Sequence, residues 1–284
     1  MPYNEDFSGQ TPTWCPGCGD WAIVLGIKKA LSAKGMTPSD IDVSFDIGCS
    51  GNMNDFLNAY AVHGLHGRAM PTAIGLKIAN HNRKVLVIGG DGGQYGEGAN
   101  HFLHACRGNH DLTHIVHDNC VYGLTTGQVA PTAQKGFKSK STPEGIIEQA
   151  VNPLALAISQ GATLVVQAFA GNFDHLQEMM KIALDHKGYA LLNILQPCVT
   201  FNKIDTYTYY LEHSYILEQE YDPTNYHKAM ERAREIMEGK FPLGVLYKSE
   251  RPAFHEQITN YPLESSLVDR ERFTDFEAVM KGFQ

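Results

Sequence analysis

Two sets of residues in this sequence could do chemistry together: cysteines placed as metal ligands, and glycine–carboxylate clusters able to hold phosphate and a hard cation. Six cysteines stand at positions 15, 18, 49, 106, 120 and 198. Cys15 and Cys18 make a C-x-x-C pair, Cys49 sits within Gly48-Cys49-Ser50-Gly51, and Cys198 ends Gln196-Pro197-Cys198. In a reducing compartment, thiols at ligand spacing suggest metal more than disulfides. Four thiolates suit tetrahedral zinc or an iron–sulfur cube. One pair joined by two solitary cysteines inclines toward the cube, with zinc and free core thiols as the other readings. Cys106, inside a helical run, and Cys120 read as core thiols, since free cysteine is commonly buried.

The second set is Gly89-Gly90-Asp91-Gly92-Gly93, directly after the apolar run KVLVIG, with Asp118-Asn119 after the next apolar run. Glycines there let backbone N–H groups approach phosphate oxygens. Asp91, Asn119 and the Val121 carbonyl are hard oxygen donors suited to Mg2+. A plain glycine turn and a strand-end asparagine form the simpler alternative. Two such signals at successive strand ends favour a functional site. No GKS or GKT follows, and the glycines do not fit G-x-G-x-x-G, so neither nucleotide loop is present.

These residues need elements to position them. Periodicity predicts helices over 21–33, 71–80, 99–107, 154–159 and 174–186, alternating with strands over 41–47, 84–89, 112–117, 163–169 and 189–195. That alternation implies an α/β fold: a mostly parallel twisted sheet with helices on both faces. Residues 1–199 are expected to form the cofactor domain. Residues 200–284, rich in tyrosine and with one predicted helix over 225–238, are expected to be an extension packing on it or on a partner. The stretch Tyr122–Gly145 has neither period, and a loop that long in a compact domain is usually functional. With 43% apolar residues the chain can bury a large core, and its net charge of −8 argues against nucleic acid. No apolar run is long enough for a membrane span. The opening MPYNEDFSGQ lacks a basic-then-apolar leader pattern, so a cytoplasmic protein is expected.

The segment GDGGQYGEGANHFLHACRGNHDLTHIVHDNCVYGLTTGQ resembles the thiamine diphosphate motif of 2-oxoacid:ferredoxin oxidoreductase β subunits. The likeness continues through WCPGCGDWAI, DIGCSGN, HGLHGRAMPTAIGLKIAN, LQPC and GVLYKSERPAF, in the family's order. It implies Asp91, Asn119 and the Val121 carbonyl around Mg2+. It also implies Ile47, Gly48, Cys49, Ser50, His66, Gly67, Gly90, Gly92, Gly93, Gly123 and Leu124 around thiamine diphosphate, with His66 and Leu124 positioning the cofactor. It turns the cysteine reading toward one 4Fe-4S cluster on Cys15, Cys18, Cys49 and Cys198. The implied activity is reversible, CoA-dependent oxidative decarboxylation of a 2-oxoacid, with electrons leaving through the cluster to ferredoxin. The character of the chain is closest to the 2-oxoglutarate members, with pyruvate and branched-chain oxoacids as alternatives. A partner α subunit, in a heterotetramer of two α and two β subunits, is expected to supply the carboxylate that activates the thiamine. A non-redox thiamine decarboxylase and a zinc-stabilised, non-catalytic nucleotide scaffold are the rival readings. His63 reads as a loop histidine, and Thr125, Thr126, Lys138 and Lys140 as possible contacts for a carboxylate or for the CoA phosphates.

Overall fold

A computed structural model describes residues 3–270 and 275–283. The alternation is present as α1 (Asp20–Ala33), β1 (Ile41–Phe45), β2 (Tyr60–His63), α2 (Ala69–Ala79), β3 (Lys84–Gly90), α3 (Ala99–Gly108) and β4 (Leu112–Asp118). It continues with a small hairpin of β5 (Val121–Tyr122) and β6 (Gln128–Val129), then α4 (Pro153–Ser159), β7 (Leu164–Phe169), α5 (Phe173–Asp185) and β8 (Tyr189–Leu195). After these come α6 (Tyr207–His213), β9 (Ser214–Ile216), α7 (Tyr226–Arg234) and β10 (Phe241–Lys248).

Eight of these strands form one sheet in the order β2-β1-β3-β4-β8-β7-β10-β9. Every pairing in it is parallel except that of β7 with β10. The central strands are buried on both faces because successive side chains alternate sides. Leu86 and Ile88 enter one core while Val85 and Val87 enter the other. Helices cover both faces. On α1 the buried Ile23, Val24, Ile27, Ala30 and Leu31 recur with helical spacing and make a stripe that packs against α5. Ile27 and Leu31 are fully buried, which stabilises the fold by roughly 1.5–3 kcal/mol each. The helices α4, α5 and α7 each open with an asparagine cap, at Asn152, Asn172 and Asn225.

The structure departs from the periodicity reading in several places. β1 stops at Phe45, because residues 46–50 turn with Gly48 at a positive φ of 142°. α2 starts at Ala69, ahead of Pro71. Beyond β3 the glycines do not make an open loop; Gly92–Glu97 wind into a π-helical turn. The helix expected over 225–238 ends at Arg234 and tightens to a 3-10 turn over Glu235–Glu238. Strand β2, Tyr-Ala-Val-His, is too short to show a period of its own, and all four of its residues are exposed. Strand β10 contains Pro242 and Gly244, which mask a strand pattern. Residues after Cys198 thus add β10 and β9 to the same sheet.

Candidate functional site

Strands β1, β3, β4 and β8 are parallel neighbours, so the segments that follow them meet along one edge of the sheet. The connections from β1 and β3 leave in opposite directions, which opens a crevice at the carboxyl ends of the strands. A cavity of about 160 Å3 lies there. Of the residues expected around a thiamine cofactor, all but Gly67 line it, together with Asp91, Asn119, Val121, Tyr122 and Thr125. Gly67 supports the wall instead. It has a φ of 69°, and its N–H donates to Asp46 Oδ1 at 2.7 Å.

The glycines of this wall are needed for packing as well as for access. A Cβ on Gly92 would lie 2.4 Å from the Tyr122 ring, and one on Gly93 would lie 1.7 Å from Asp46 Oδ2. Asp46 is fully buried and was not foreseen from the sequence. Its Oδ2 accepts from Gln94 Nε2 at 2.8 Å, and Gln94 Oε1 lies 2.8 Å from His114 Nε2. His114 Nδ1 in turn faces the Tyr189 hydroxyl at 2.6 Å. This buried chain fixes Asp46 from behind, while burial pushes its carboxyl up from the ordinary range.

His66 stands between two carboxylates at the cavity wall, 3.6 Å from Asp46 and 3.3 Å from Glu97. Tyr122 donates to Glu97 at 3.1 Å. Burial, and then the Glu97 charge, push the phenol up, so it stays a donor. Leu124 is 47% exposed at the cavity and leaves an apolar side chain open to whatever occupies it.

Asp91 and Asn119, just beyond the ends of β3 and β4, both line the cavity. Asp91 Oδ2 accepts from the Cys120 N–H at 3.0 Å and from the Thr132 hydroxyl. Asn119 Oδ1 accepts from the Val121 N–H at 3.1 Å. Asp91 is buried, and among the described residues no cationic side chain pairs with it. Burial, and then the Asp118 charge, hold its carboxyl well above the usual range. A carboxylate in that setting fits a divalent cation, which would supply the missing charge.

The four ligand-like cysteines gather on the same edge. A Cβ on Gly123 would lie 3.3 Å from Cys49 Sγ and 3.9 Å from Cys198 Sγ. The Gly19 N–H donates to Pro197 O at 3.4 Å, which brings the C-x-x-C turn against the end of β8. Cys18 Sγ lies 3.4 Å from Asp20 Oδ2 and accepts from Gln196 Nε2 at 3.2 Å. Trp14 donates to Cys49 O at 2.7 Å, and Trp21 to Cys15 O at 3.2 Å. Burial pushes the Cys49 thiol up to about 12, with Asp20 and the neighbouring cysteines adding to the shift. Among the described residues, no three His, Cys, Asp or Glu side chains close around a single ion. Thiolates that share an iron–sulfur cube stand further apart than ligands of one ion. The convergence of soft donors, one of them already hydrogen-bonded, is compatible with such a group.

The other candidates are dispersed. His63 is exposed on edge strand β2, not in a loop. Thr125 lines the cavity, whereas Lys138 and Lys140 are exposed on the long loop. Cys106 is fully buried in α3, and Cys120 is buried with a φ of 63°. Sequence reasoning passed over Asp46, Glu97, Tyr122 and Gln196. Asp46 had one usable signal, a lone acid where a predicted strand gives way to glycine.

Residues 46–194 match a family model described as thiamine pyrophosphate enzyme, C-terminal TPP binding domain. Residues 198–262 match one described as the C terminal of the pyruvate ferredoxin oxidoreductase beta subunit. The chain is 42% identical to a 2-oxoacid:ferredoxin oxidoreductase subunit beta of Saccharolobus solfataricus, over 86% of this chain and 84% of the relative. It is 40% identical to the 2-oxoglutarate oxidoreductase subunit KorB of Mycobacterium tuberculosis, over 70% of this chain and 53% of that one. Among solved structures, it superposes with a TM-score of 0.85 at 39% identity on a 2-oxoglutarate:ferredoxin oxidoreductase from Magnetococcus marinus. That structure holds 2-oxoglutarate, coenzyme A and succinyl-CoA, and the match covers 88% of this chain and 86% of that one.

Proposed function

The chain belongs to the 2-oxoacid:ferredoxin oxidoreductase β subunits, and from that premise we propose that it holds thiamine diphosphate with Mg2+ in the strand-end cavity and one 4Fe-4S cluster on Cys15, Cys18, Cys49 and Cys198. The observation that carries the reading is the adjacency at Gly123. This one residue lines the cavity and has two of the four cysteine sulfurs within 4 Å of its Cβ position, at 3.3 and 3.9 Å.

Bound thiamine diphosphate supplies the carbon nucleophile and electron sink that decarboxylation of a 2-oxoacid requires. The chain's own residues bind and orient it. Asp91, the Asn119 side-chain oxygen and the Val121 carbonyl hold Mg2+. Gly92 and Gly93 bring backbone to the diphosphate without side chains in the way. His66, standing between Asp46 and Glu97, contributes a polar group to the wall, and Leu124 presents an apolar side chain to the cavity. Cys15, Cys18, Cys49 and Cys198 would hold the cluster, which would supply one-electron transfer toward ferredoxin.

The substrate we propose is 2-oxoglutarate, supported by the KorB relatives and by the ligands of the Magnetococcus enzyme. The β-subunit assignment implies an α partner, and we propose that activity requires it. Among the described residues, no helix is long and apolar enough to cross a membrane.

Two measurements test the reading. Iron and sulfide analysis of the anaerobically purified α/β pair is expected to find a cluster. Zinc, or no metal, would remove the redox assignment. Viologen reduction is then compared across 2-oxoglutarate, pyruvate and a branched-chain oxoacid, with this chain alone as the control. The expectation is highest kcat/KM for 2-oxoglutarate and no turnover without the partner. A preference for pyruvate would overturn the substrate, and turnover by the isolated chain would overturn the shared site.

A further inference from the structure

Gln196 follows β8, is 1% exposed, and touches both halves of the site. Its Oε1 accepts from Asn119 Nδ2 at 2.7 Å. Its Nε2 donates to Cys18 Sγ at 3.2 Å and to Pro197 O at 3.0 Å. Gly19 makes the room: a Cβ there would lie 2.8 Å from Gln196 Cγ. A primary amide has one accepting end and one donating end. A ligating sulfur can only accept, so the donating end must face Cys18, and the accepting end then faces Asn119. That obliges Asn119 to offer its NH2 group to Gln196. Its Oδ1 is left with one accepted bond, from the Val121 N–H at 3.1 Å, and a lone pair to spare.

We propose that Gln196 is a positioning residue shared by the two cofactor sites, fixing the Asn119 amide as a Mg2+ ligand and setting the cluster's reduction potential through its bond to Cys18. The inference rests on the assignment of Cys18 to the cluster and Asn119 to Mg2+. Hydrogen bonds to cluster sulfurs help set its potential. They favour the more negative, reduced state, so losing one lowers the potential. A group that orients a metal ligand is worth roughly 10–100-fold in metal affinity.

The test uses Gln196→Met and Gln196→Glu in the assembled α/β enzyme, each checked first for iron and sulfide content. Methionine keeps the volume and loses both hydrogen bonds. Glutamate keeps an acceptor for Asn119 and loses the amide donor to Cys18. A redox titration followed by electron paramagnetic resonance is expected to show a lower midpoint potential in the methionine variant. Calorimetry with Mg2+, in the presence of thiamine diphosphate, is expected to show about 10-fold weaker binding or worse in that variant. Near wild-type affinity is expected in the glutamate variant. An unchanged potential in the methionine variant overturns the proposal, as does Mg2+ affinity that is the same in both variants. If the wild-type enzyme itself lacks iron and sulfide, the proposal falls together with the cluster assignment, a result separable from a cluster that is present but insensitive to Gln196.

Discussion

Asn109, at the foot of β4, and Asp91, beyond the top of β3, are both buried polar side chains, yet their surroundings differ in kind. Asn109 Oδ1 accepts from the Tyr189 N–H at 2.9 Å and the Thr163 hydroxyl at 2.7 Å. Its Nδ2 donates to Arg251 O at 2.9 Å and Pro252 O at 3.1 Å. Around it Lys77 pairs with Asp111 at 2.6 Å, and Arg251 donates to the carbonyls of Cys106, Arg107 and Gly161. The amide's donors and acceptors are all matched, the Lys77 and Asp111 charges are paired, and the Arg251 guanidinium is held by carbonyls. At the other end of the same strands Asp91 and Asp118 are buried close together, with burial holding both above the usual carboxylate range. Glycine-walled space lies alongside them. The lower end is complete as folded, whereas the upper end has negative charge and room that a ligand would complete. Strongly perturbed acids beside a cleft are a sign of function, whereas a closed polar network is a sign of stability.

The largest expected effect breaks the closed end. Asn109→Ala removes four hydrogen bonds and leaves alanine at a φ of 52°. Orphaned buried partners and left-handed backbone together cost about 3 kcal/mol or more. Urea unfolding reads this directly, and a loss below about 1 kcal/mol would mean that the network contributes little. The second effect sharpens the open end. Asp91→Asn is expected to leave the cofactor-free protein as stable as wild type, or more so, because it removes a buried acid that has no counter-charge among the described residues. The stabilisation by Mg2+ and thiamine diphosphate, about 2.7 kcal/mol when the ligand is a hundredfold above its Kd, is expected to vanish. A variant that still gains melting temperature with the cofactor would take Asp91 out of the metal site.

How much of this contrast could be read beforehand depended on where each residue's signal lies. The strand ends were legible because the apolar runs stop at glycine and acid within a few positions, as in KVLVIGGDGG. Cys15, Cys18, Cys49 and Cys198 could be grouped by type, but their convergence depends on which strands are neighbours. The order β1-β3-β4-β8 is long-range information that periodicity does not hold. Gln196 carried no distinctive local pattern and Asp46 only an acid ahead of a glycine, because their roles arise from groups that meet them from distant segments: Asn119 and Cys18 for the one, Gln94 and the Gly67 N–H for the other. Strand β10 was lost to its own proline and glycine. The closed lower end left no trace in the reading at all, since satisfied asparagines and arginines look like any others until their partners are known.

The smallest effect separates the two ends by the sign of their pH dependence. At the lower end, burial pushes the His110 imidazole down to about 4, with the His255 charge adding to the shift. Burial likewise brings His186 to about 4. In the unfolded chain these groups take a proton near pH 6.5. Between about 6.5 and 4 the unfolded state therefore binds more protons, and stability falls as pH falls through that window. At the upper end Asp118, pushed up to about 6 by burial, works the other way. It holds its proton in the folded state above the pH at which the unfolded chain releases it, so its contribution is lost as pH rises from about 4 to 6. In the cofactor-free protein the two slopes oppose each other. His110→Gln removes one titrating group from the lower end and is expected to make the acid limb shallower between pH 6.5 and 4, leaving the plateau at pH 7 nearly unchanged. Urea midpoints across that range measure it. An acid limb parallel to that of the wild type would show that His110 is not held neutral by the fold, and the contrast between the two ends would then rest on hydrogen bonding alone.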